Sequence, residues 1–151
     1  MQWVYDDGGR AAAGYRGHTR DCVVRAVAIA TGLAYQEVYG DFAAEMRAAR
    51  LGRAGESRSP RDGVPVHRRW FREWLAKLGW EWHPTMTIAS GCRVHLRAEE
   101  LPSGNLIVRL SGHVVAVIDG VIHDTSDPSR HGTRCVYGYW RKCDGMEMAK
   151  V

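Results

Sequence analysis

Three residues of this chain have the types that nucleophilic catalysis by a thiol requires: Cys22, His113 and Asp124. A thiolate attacks an acyl carbon, an imidazole accepts a proton and returns it to the leaving group, and a carboxylate holds the imidazole in the right tautomer. The three residues are far apart in sequence. The chemistry therefore depends on elements that bring them to one place.

Segment 113–127 predicts a β-hairpin that would carry two of the three residues. Apolar, β-branched runs flank Asp119-Gly120, a dipeptide favoured in two-residue type I′ turns because both central residues need positive φ. With that turn, side chains alternate by two along each strand. His113 and Asp124 then share a face as diagonal neighbours, roughly 7–8 Å apart at the backbone.

Cys22 is expected to open a buried helix. The run Cys22–Thr31 is apolar nearly all round, Asp21 before it is a favoured N-cap residue, and Gly32 after it suits a left-handed C-terminal position. The N-terminus of a helix presents unpaired N–H groups and the positive end of the helix dipole, which favour a thiolate. The predicted helix therefore places the thiol where it is activated.

Stabilisation of a tetrahedral oxyanion needs hydrogen-bond donors beside the nucleophile. The backbone N–H of Cys22 is one natural donor, and a second is expected from a side chain or amide shortly before it. His18 and Thr19 are the candidates in the sequence.

The remaining patterns predict helices first and strands later, which is typical of an α+β domain. Strands alternate with Gly- and Pro-containing turns in the second half, and at 151 residues a single domain is expected. Leu51–Pro65, rich in Gly, Ser, Arg and Pro, predicts a mobile, exposed basic loop. The expected helices are Cys22–Thr31, Tyr35–Arg50 and Val66–Leu78, the last burying Trp70, Phe71, Trp74 and Leu78; the expected strands, besides the hairpin, are Trp3–Tyr5, Trp80–His83, Cys92–Leu96, Leu106–Leu110 and Cys135–Trp140.

Composition narrows the class of protein. The net charge of +4 comes from an Arg-rich basic set, which fits an acidic or phosphate-bearing partner but also a biased coding sequence. The N-terminus has no basic segment followed by an apolar one, and no window approaches ~18 apolar residues, so a soluble, cytosolic, unprocessed protein is expected. Without a secretion signal, free thiols are expected rather than disulfides. The cysteines are Cys22, Cys92, Cys135 and Cys143.

An Asp-Cys pair at the start of an apolar helix, followed by a strand that opens with His and a next strand carrying Asp, resembles the papain-like cysteine peptidase superfamily, and most of all its compact C39-like and NlpC-like members. The segments Asp21–Ala26, Ser90–Leu96 and His113–Thr125 also resemble a group of small uncharacterised phage and prophage proteins with that fold. The resemblance runs from about Arg20 to Trp140.

The resemblance implies N-terminal helices, with the cysteine at a helix N-terminus, packed on a C-terminal antiparallel sheet. It implies that Cys22 is the nucleophile, His113 the base and Asp124 the orienting carboxylate. The reaction would be hydrolysis or transfer at a peptide, isopeptide, other amide or thioester bond, on a protein or peptide substrate and without a cofactor. The family usually carries a glutamine shortly before the cysteine as oxyanion donor, and Arg16 occupies that position here.

Two other function classes remain open in the sequence. The missing glutamine favours a catalytically silent binding module on the same fold, for example a phage protein that engages a host factor through its basic loop and aromatic surface. Clustered arginines around that loop are the one feature that favours a nucleic-acid-binding protein, whose binding would weaken strongly with salt. They fit a solvated basic face better, so no nucleic-acid partner is expected. The arginines are Arg47, Arg50, Arg53, Arg58, Arg61, Arg68, Arg69 and Arg72.

Candidate contacts to a substrate or partner are Arg58, Arg61, Trp82 and His95. At strand spacing, however, Trp82 also fits a core position. A zinc site built from Cys92, His95 and the later cysteines fits no recognised ligand spacing, so no metal is expected. Asp127 is a rival to Asp124, but its parity places it on the opposite face of the hairpin.

Overall fold

The structure is a computed structural model that describes residues 1–17, 19–49 and 59–143. This part of the chain contains three α-helices and one six-stranded mixed sheet, so the expected α+β class is confirmed. The helices are α1 (Cys22–Thr31), α2 (Tyr35–Ala49) and α3 (Arg69–Lys77). The strands are β1 (Gln2–Tyr5), β2 (Trp80–Pro84), β3 (Asn105–Leu110), β4 (His113–Ile118), β5 (Val121–Asp124) and β6 (Gly138–Lys142).

The sheet has the strand order β1-β5-β4-β3-β6-β2. Strands β2 to β6 pair antiparallel, as expected, but β1 runs parallel to β5 at one edge. Parallel pairing requires a long crossover connection, and most of the chain lies between β1 and β5. The sheet is therefore mixed rather than antiparallel.

The hairpin of β4 and β5 has the predicted register. Ile118 pairs with Val121 and Val117 with Ile122. Asp119 and Gly120 between them both have positive φ, 46° and 79°, as a type I′ turn requires. The two strand ends far from the turn therefore lie side by side.

Apolar residues cover both faces of the central strands β3 and β4, which explains their nearly continuous apolar sequences. On one face, α1 packs against these strands, with α2 and α3 completing a core that includes Val24, Val27, Val38, Phe42, Phe71, Ile107 and Ala116. On the other face, a second cluster joins Leu106, Val108, Val115, Val117 and Ile122 to Leu96, Leu101 and Val136. The catalytic candidates lie at the margin of these cores.

The bounds of several predicted helices and strands differ from those in the structure. Helix α3 begins at Arg69 rather than Val66 and ends before Leu78, which is 38% exposed while Leu75 is buried. The segment 92–96 forms no strand; only His95 makes an isolated antiparallel bridge, with Cys135. Strand β6 accordingly starts later than predicted, where the chain leaves that bridge and joins β2 and β3.

The prediction of a mobile, exposed loop over 51–65 is wrong for its second part. Residues 51–58 lie outside the described residues, but Pro60–Asp62 form a 3₁₀ turn in which Pro60 is buried, and Val64 is buried as well. The carbonyl of Arg61 accepts hydrogen bonds from the Arg20 N–H (2.7 Å) and the Thr19 hydroxyl (2.9 Å). Segment 59–65 is thus fixed against the chain that leads to Cys22.

Cys92 and Cys135 form a disulfide, so the expectation of four free thiols is wrong for this pair. The bridge between His95 and Cys135 and its flanking hydrogen bonds bring the two segments together. The zinc alternative needed thiolates at these positions and is incompatible with the bond. Cys22 and Cys143 are free.

The described residues hold no group of three or more His, Cys, Asp or Glu side chains placed to bind a metal ion. Within the same residues, none of the helices has the length and apolar character needed to cross a membrane.

Candidate active site

The three sequence-predicted residues meet at one end of the sheet. Cys22 is the first residue of α1, His113 the first of β4, and Asp124 the last of β5. His113 Nε2 lies 2.7 Å from Asp124 Oδ2, a short distance typical of a charge-assisted hydrogen bond. The carboxylate is buried and the imidazole is 21% exposed, so one side of the ring remains open to a ligand.

Cys22 and His113 line the same cleft, and the thiol lies close enough to the ring to influence its pKa. Because Asp124 occupies Nε2, Nδ1 is the ring nitrogen left for a second partner. Burial lowers the pKa of His113, but its interactions with Asp124 and Cys22 outweigh burial and raise the pKa to about 9. At neutral pH the imidazole is therefore protonated between a carboxylate and a sulfur. This is the arrangement of an imidazolium that stabilises a thiolate.

Asp124 remains ionised in spite of its burial. Burial raises the pKa of its carboxyl group, but the His113 hydrogen bond and charge, the Thr125 N–H and the Arg25 charge together lower it below the ordinary value. The Thr125 N–H donates to Oδ1 at 2.7 Å, and Arg25 Nη1 donates to the same oxygen at 2.7 Å. Both carboxylate oxygens are thus engaged, one by the histidine and one by a fixed pair of donors.

Arg25 links helix α1, which begins with Cys22, to the hairpin of β4 and β5. Its guanidinium also donates from Nε to Asp21 Oδ1 at 2.9 Å and from Nη1 to the Thr125 hydroxyl at 2.9 Å. Burial lowers the pKa of Arg25, but the charges and hydrogen bonds of Asp21 and Asp124 raise it by more than burial lowers it, so the side chain stays charged. A single guanidinium therefore fixes α1 and β5 relative to each other at the site.

Asp21 does not cap the helix as the sequence suggests. Its φ and ψ are −92° and 23°, and its side chain makes no capping hydrogen bond. The carboxylate is fully buried and instead accepts hydrogen bonds from Arg25 and the Tyr35 hydroxyl and forms an ion pair with Arg10. A buried charge is stable only when it is paired and hydrogen bonded, and this requirement outweighs the capping preference.

An open cleft of about 700 Å³ lies in front of Cys22 and His113. Segment 62–66 forms one wall and the ends of β3 and β4 form another. Its lining includes Thr19, Arg20, Val23, Asp62, Val64, Val66, Arg109, Leu110 and Tyr137. The size suits a short segment of peptide or a small ligand.

Of the donors expected to stabilise an oxyanion, only the Cys22 N–H lies where it could do so within the described residues. The first intrahelical hydrogen bond runs from Arg25 N–H to Asp21, so the Cys22 N–H lies ahead of the helical ladder, where donors lack an intrahelical partner. Thr19 lines the cleft, but its hydroxyl donates to the Arg61 carbonyl. His18 lies outside the described residues. Arg16 is exposed and lines a separate, smaller pocket.

Of the predicted contact residues, those that the structure describes do not line the cleft. Trp82 packs against Trp140, with ring centroids 4.4 Å apart, and its ring covers Gly138 so closely that a Cβ there would lie 2.4 Å from it. His95 is hydrogen bonded to Glu100 in another region of the fold. Arg61 is exposed and lines the smaller pocket. Arg58 lies outside the described residues, as do Arg50 and Arg53.

Arg25, Asp21 and Tyr35 are site residues that sequence reasoning missed. A signal was present: Arg25 is the one charged residue in the otherwise apolar run 22–31. An arginine inside a buried helix must be paired with carboxylates. Asp21 lies four residues before Arg25, and the hairpin carries Asp124, so both partners could have been inferred.

Comparisons with protein-family models, with curated proteins and with solved structures give no match. The chemistry of this site is therefore inferred from its own geometry.

Proposed function

We propose that this protein is a papain-like thiol hydrolase that cleaves a peptide, isopeptide or related amide bond with a Cys-His-Asp triad. The observation that carries the proposal is the position of His113, which is hydrogen bonded to Asp124 Oδ2 at 2.7 Å and lines the same cleft as Cys22. Each of the three residues has the neighbour that its role requires. The open cleft in front of the thiol gives a substrate access to it.

The first half of the reaction acylates Cys22. The thiolate attacks the carbonyl carbon, a C–S bond forms, and the carbonyl π electrons move to oxygen, where the Cys22 N–H can donate to the oxyanion. When the tetrahedral species collapses, the C–N bond breaks and the His113 imidazolium gives its proton to the leaving nitrogen. The products are a free amine, a thioester on Cys22 and a neutral imidazole.

The second half restores the enzyme. The neutral imidazole of His113 takes a proton from water as the oxygen attacks the thioester carbon, and the C–S bond then breaks. The acid product leaves and the thiolate and imidazolium are regenerated. Asp124 stays ionised throughout and stabilises the charged ring.

A catalytically silent binding module is the second candidate, and one observation favours it. The cleft lining contains no Asn or Gln within the described residues, so no side-chain amide supplies the second oxyanion donor of the family. The same cleft and basic surface could then hold a partner protein without cleaving it.

Acylation by an activated ester separates the two candidates. With p-nitrophenyl acetate, the hydrolase is expected to release a burst of nitrophenol equal to the enzyme and to carry an acetyl group on Cys22 that mass spectrometry detects. Cys22→Ser and His113→Ala should abolish the burst, whereas Asp127→Asn, an exposed carboxylate beyond the hairpin, should leave it intact. If Cys22 of the wild-type protein is acylated no faster than Cys143, the protein is a binding module rather than a hydrolase.

A further inference from the structure

The cleft contains two arginines that the triad does not use. Arg20 and Arg109 both line it together with Cys22 and His113. Neither guanidinium forms an ion pair or a side-chain hydrogen bond within the part of the chain that the structure describes. From these two side chains we propose that the site selects substrates that carry a carboxylate beside the reacting acyl group, as an acidic peptide does. This inference rests on the proposed thiol chemistry and names its substrate class.

The sheet register brings Arg109 to the wall of the cleft. Arg109 is half-buried on β3 and pairs with Val114, so the two side chains point to the same face of the sheet, with Cβ atoms roughly 5 Å apart. Val114 lines the cleft as well, and His113, one residue earlier in β4, lines it at the end of the strand. Arg109 and the Cys22–His113 pair therefore face one cavity.

Arg20 approaches from the other side. It lies two residues before the nucleophile, and its backbone N–H is fixed by the Arg61 carbonyl at 2.7 Å. Its side chain is exposed at the cleft, so it can meet a ligand without a change of the backbone. Together, Arg20 and Arg109 place positive charge on two walls of the cavity that holds Cys22.

The other charged residues of the lining do not cancel the charge of the two arginines. Arg25 is already paired with Asp21 and Asp124 and bonded to Thr125. Asp62 keeps its negative charge, because within the described residues it accepts a hydrogen bond only from the Ser59 hydroxyl, at 3.0 Å. Two arginines without an ion pair against one carboxylate leave the lining with net positive charge for a ligand.

A carboxylate is the ligand that this set of groups fits best. A planar guanidinium binds a carboxylate with two parallel hydrogen bonds. The valines, Leu110 and Tyr137 in the same lining offer apolar contacts for the rest of a peptide. A nucleic acid would instead need a row of cations along an extended surface, whereas these two arginines flank a single concave site.

Two alkylating reagents of nearly the same shape test the proposal. Iodoacetate and iodoacetamide both transfer a two-carbon group to a thiolate with loss of iodide, but only iodoacetate carries a carboxylate. The rate constant of Cys22 is measured with each by peptide mapping, and their ratio is compared in wild type, Arg20→Gln, Arg109→Gln and the double variant. Arg47→Gln, which removes an exposed charge from the last turn of α2, is the matched control.

Each cleft arginine is expected to contribute about a threefold preference for iodoacetate, so the double variant should lose roughly tenfold in the ratio. Its rate with iodoacetamide should stay close to wild type, which also shows that the site is folded. Arg47→Gln should leave the ratio unchanged. His113 is present in every variant, so its charge cannot produce the difference.

The two proposals fail in different ways. If Cys22 reacts rapidly with iodoacetamide but the ratio is the same in the double variant, or falls equally in Arg47→Gln, the acidic-substrate inference is overturned and the hydrolase proposal stands. If Cys22 reacts as slowly as Cys143 with both reagents, the thiol is not activated. That result overturns the hydrolase and, with it, the substrate class.

Discussion

Arg25 Nη1 lies 2.7 Å from Asp124 Oδ1, on the oxygen that His113 does not use. The arginine comes from the same helix as Cys22, and the aspartate from the same hairpin as His113. This one ion pair therefore joins the helix that begins with Cys22 to the hairpin that carries His113. Its burial makes it a structural requirement of the site as well as an electrostatic one.

Replacement of Arg25 with methionine is expected to lower the free energy of unfolding by up to about 3–5 kcal/mol, because the buried carboxylates of Asp21 and Asp124 lose the cation that they share and keep only Arg10 and His113. Arg25→Lys keeps the charge but lacks the fork that reaches both carboxylates, so a smaller loss is expected. Urea denaturation followed by tryptophan fluorescence measures both.

Arg47→Met is the control for the Arg25 variants, because Arg47 is exposed on α2. Surface substitutions of this kind change stability by no more than about 0.5 kcal/mol. Equal stabilities for Arg25→Met and Arg47→Met would contradict the role assigned to the buried ion pair.

Alkylation of Cys22 by iodoacetamide at pH 6.5 is expected to be faster than that of Cys143. The reason is the protonated imidazole beside the sulfur. In His113→Ala, the rate at pH 6.5 should fall at least about tenfold and rise only in alkaline solution. Cys143, the other free cysteine, is the internal reference in the same digest. A Cys22 rate that is indifferent to His113 would exclude a working pair.

Reduction of the Cys92–Cys135 disulfide is expected to destabilise the fold. The two residues are 43 positions apart, and closing a loop of this length in the unfolded chain corresponds to up to about 4 kcal/mol. Denaturation with and without reductant in a Cys22→Ala, Cys143→Ala background measures the difference. The variant that also lacks Cys92 and Cys135 should not respond to reductant; a response there would show that the effect has another origin.

The parts of this fold that the sequence predicts correctly are those with local causes. Asp119-Gly120 sets the hairpin register because two positive φ values fit only one turn, and Gly32, with φ 78°, ends α1 where expected. Cys22, His113 and Asp124 follow from those two elements. Their meeting depends on how a helix packs on a sheet, which no local pattern encodes.

The features that the sequence does not predict depend on distant segments. Parallel pairing of β1 with β5 and the Cys92–Cys135 bond join residues with no turn between them to fix a register. Asp21 shows a second reason why a sequence-based prediction can be wrong. Its side chain pairs with the buried guanidinium of Arg25, four residues away, instead of capping the helix. Loss of a capping hydrogen bond destabilises a protein by about 1 kcal/mol, whereas a buried charge without a partner destabilises it by several kcal/mol.

Asp124→Asn is expected to lower the pKa of His113 from about 9 toward 6.5, because the variant loses the charged hydrogen bond that opposes burial. The titration is followed by NMR of the imidazole Cε1–H, with the His113 signal identified by its loss in His113→Gln. Asp127→Asn should leave the titration unchanged, since Asp127 accepts a hydrogen bond from the Ser129 N–H and, among the described residues, makes no contact with His113 that would set its charge. If both variants titrate like wild type, Asp124 does not set the state of the ring.

The same raised pKa predicts how stability depends on pH. A histidine whose pKa is higher in the folded state stabilises the fold when protonated, so the contribution of His113 is complete below the unfolded value of 6.5 and declines as the pH rises to about 9. A shift of this size corresponds to at most about 3 kcal/mol. The difference in unfolding free energy between wild type and His113→Gln should therefore be larger at pH 6 than at pH 9.5. A difference that grows toward alkaline pH would mean that the folded protein favours the neutral ring, against the imidazolium on which the proposed mechanism depends.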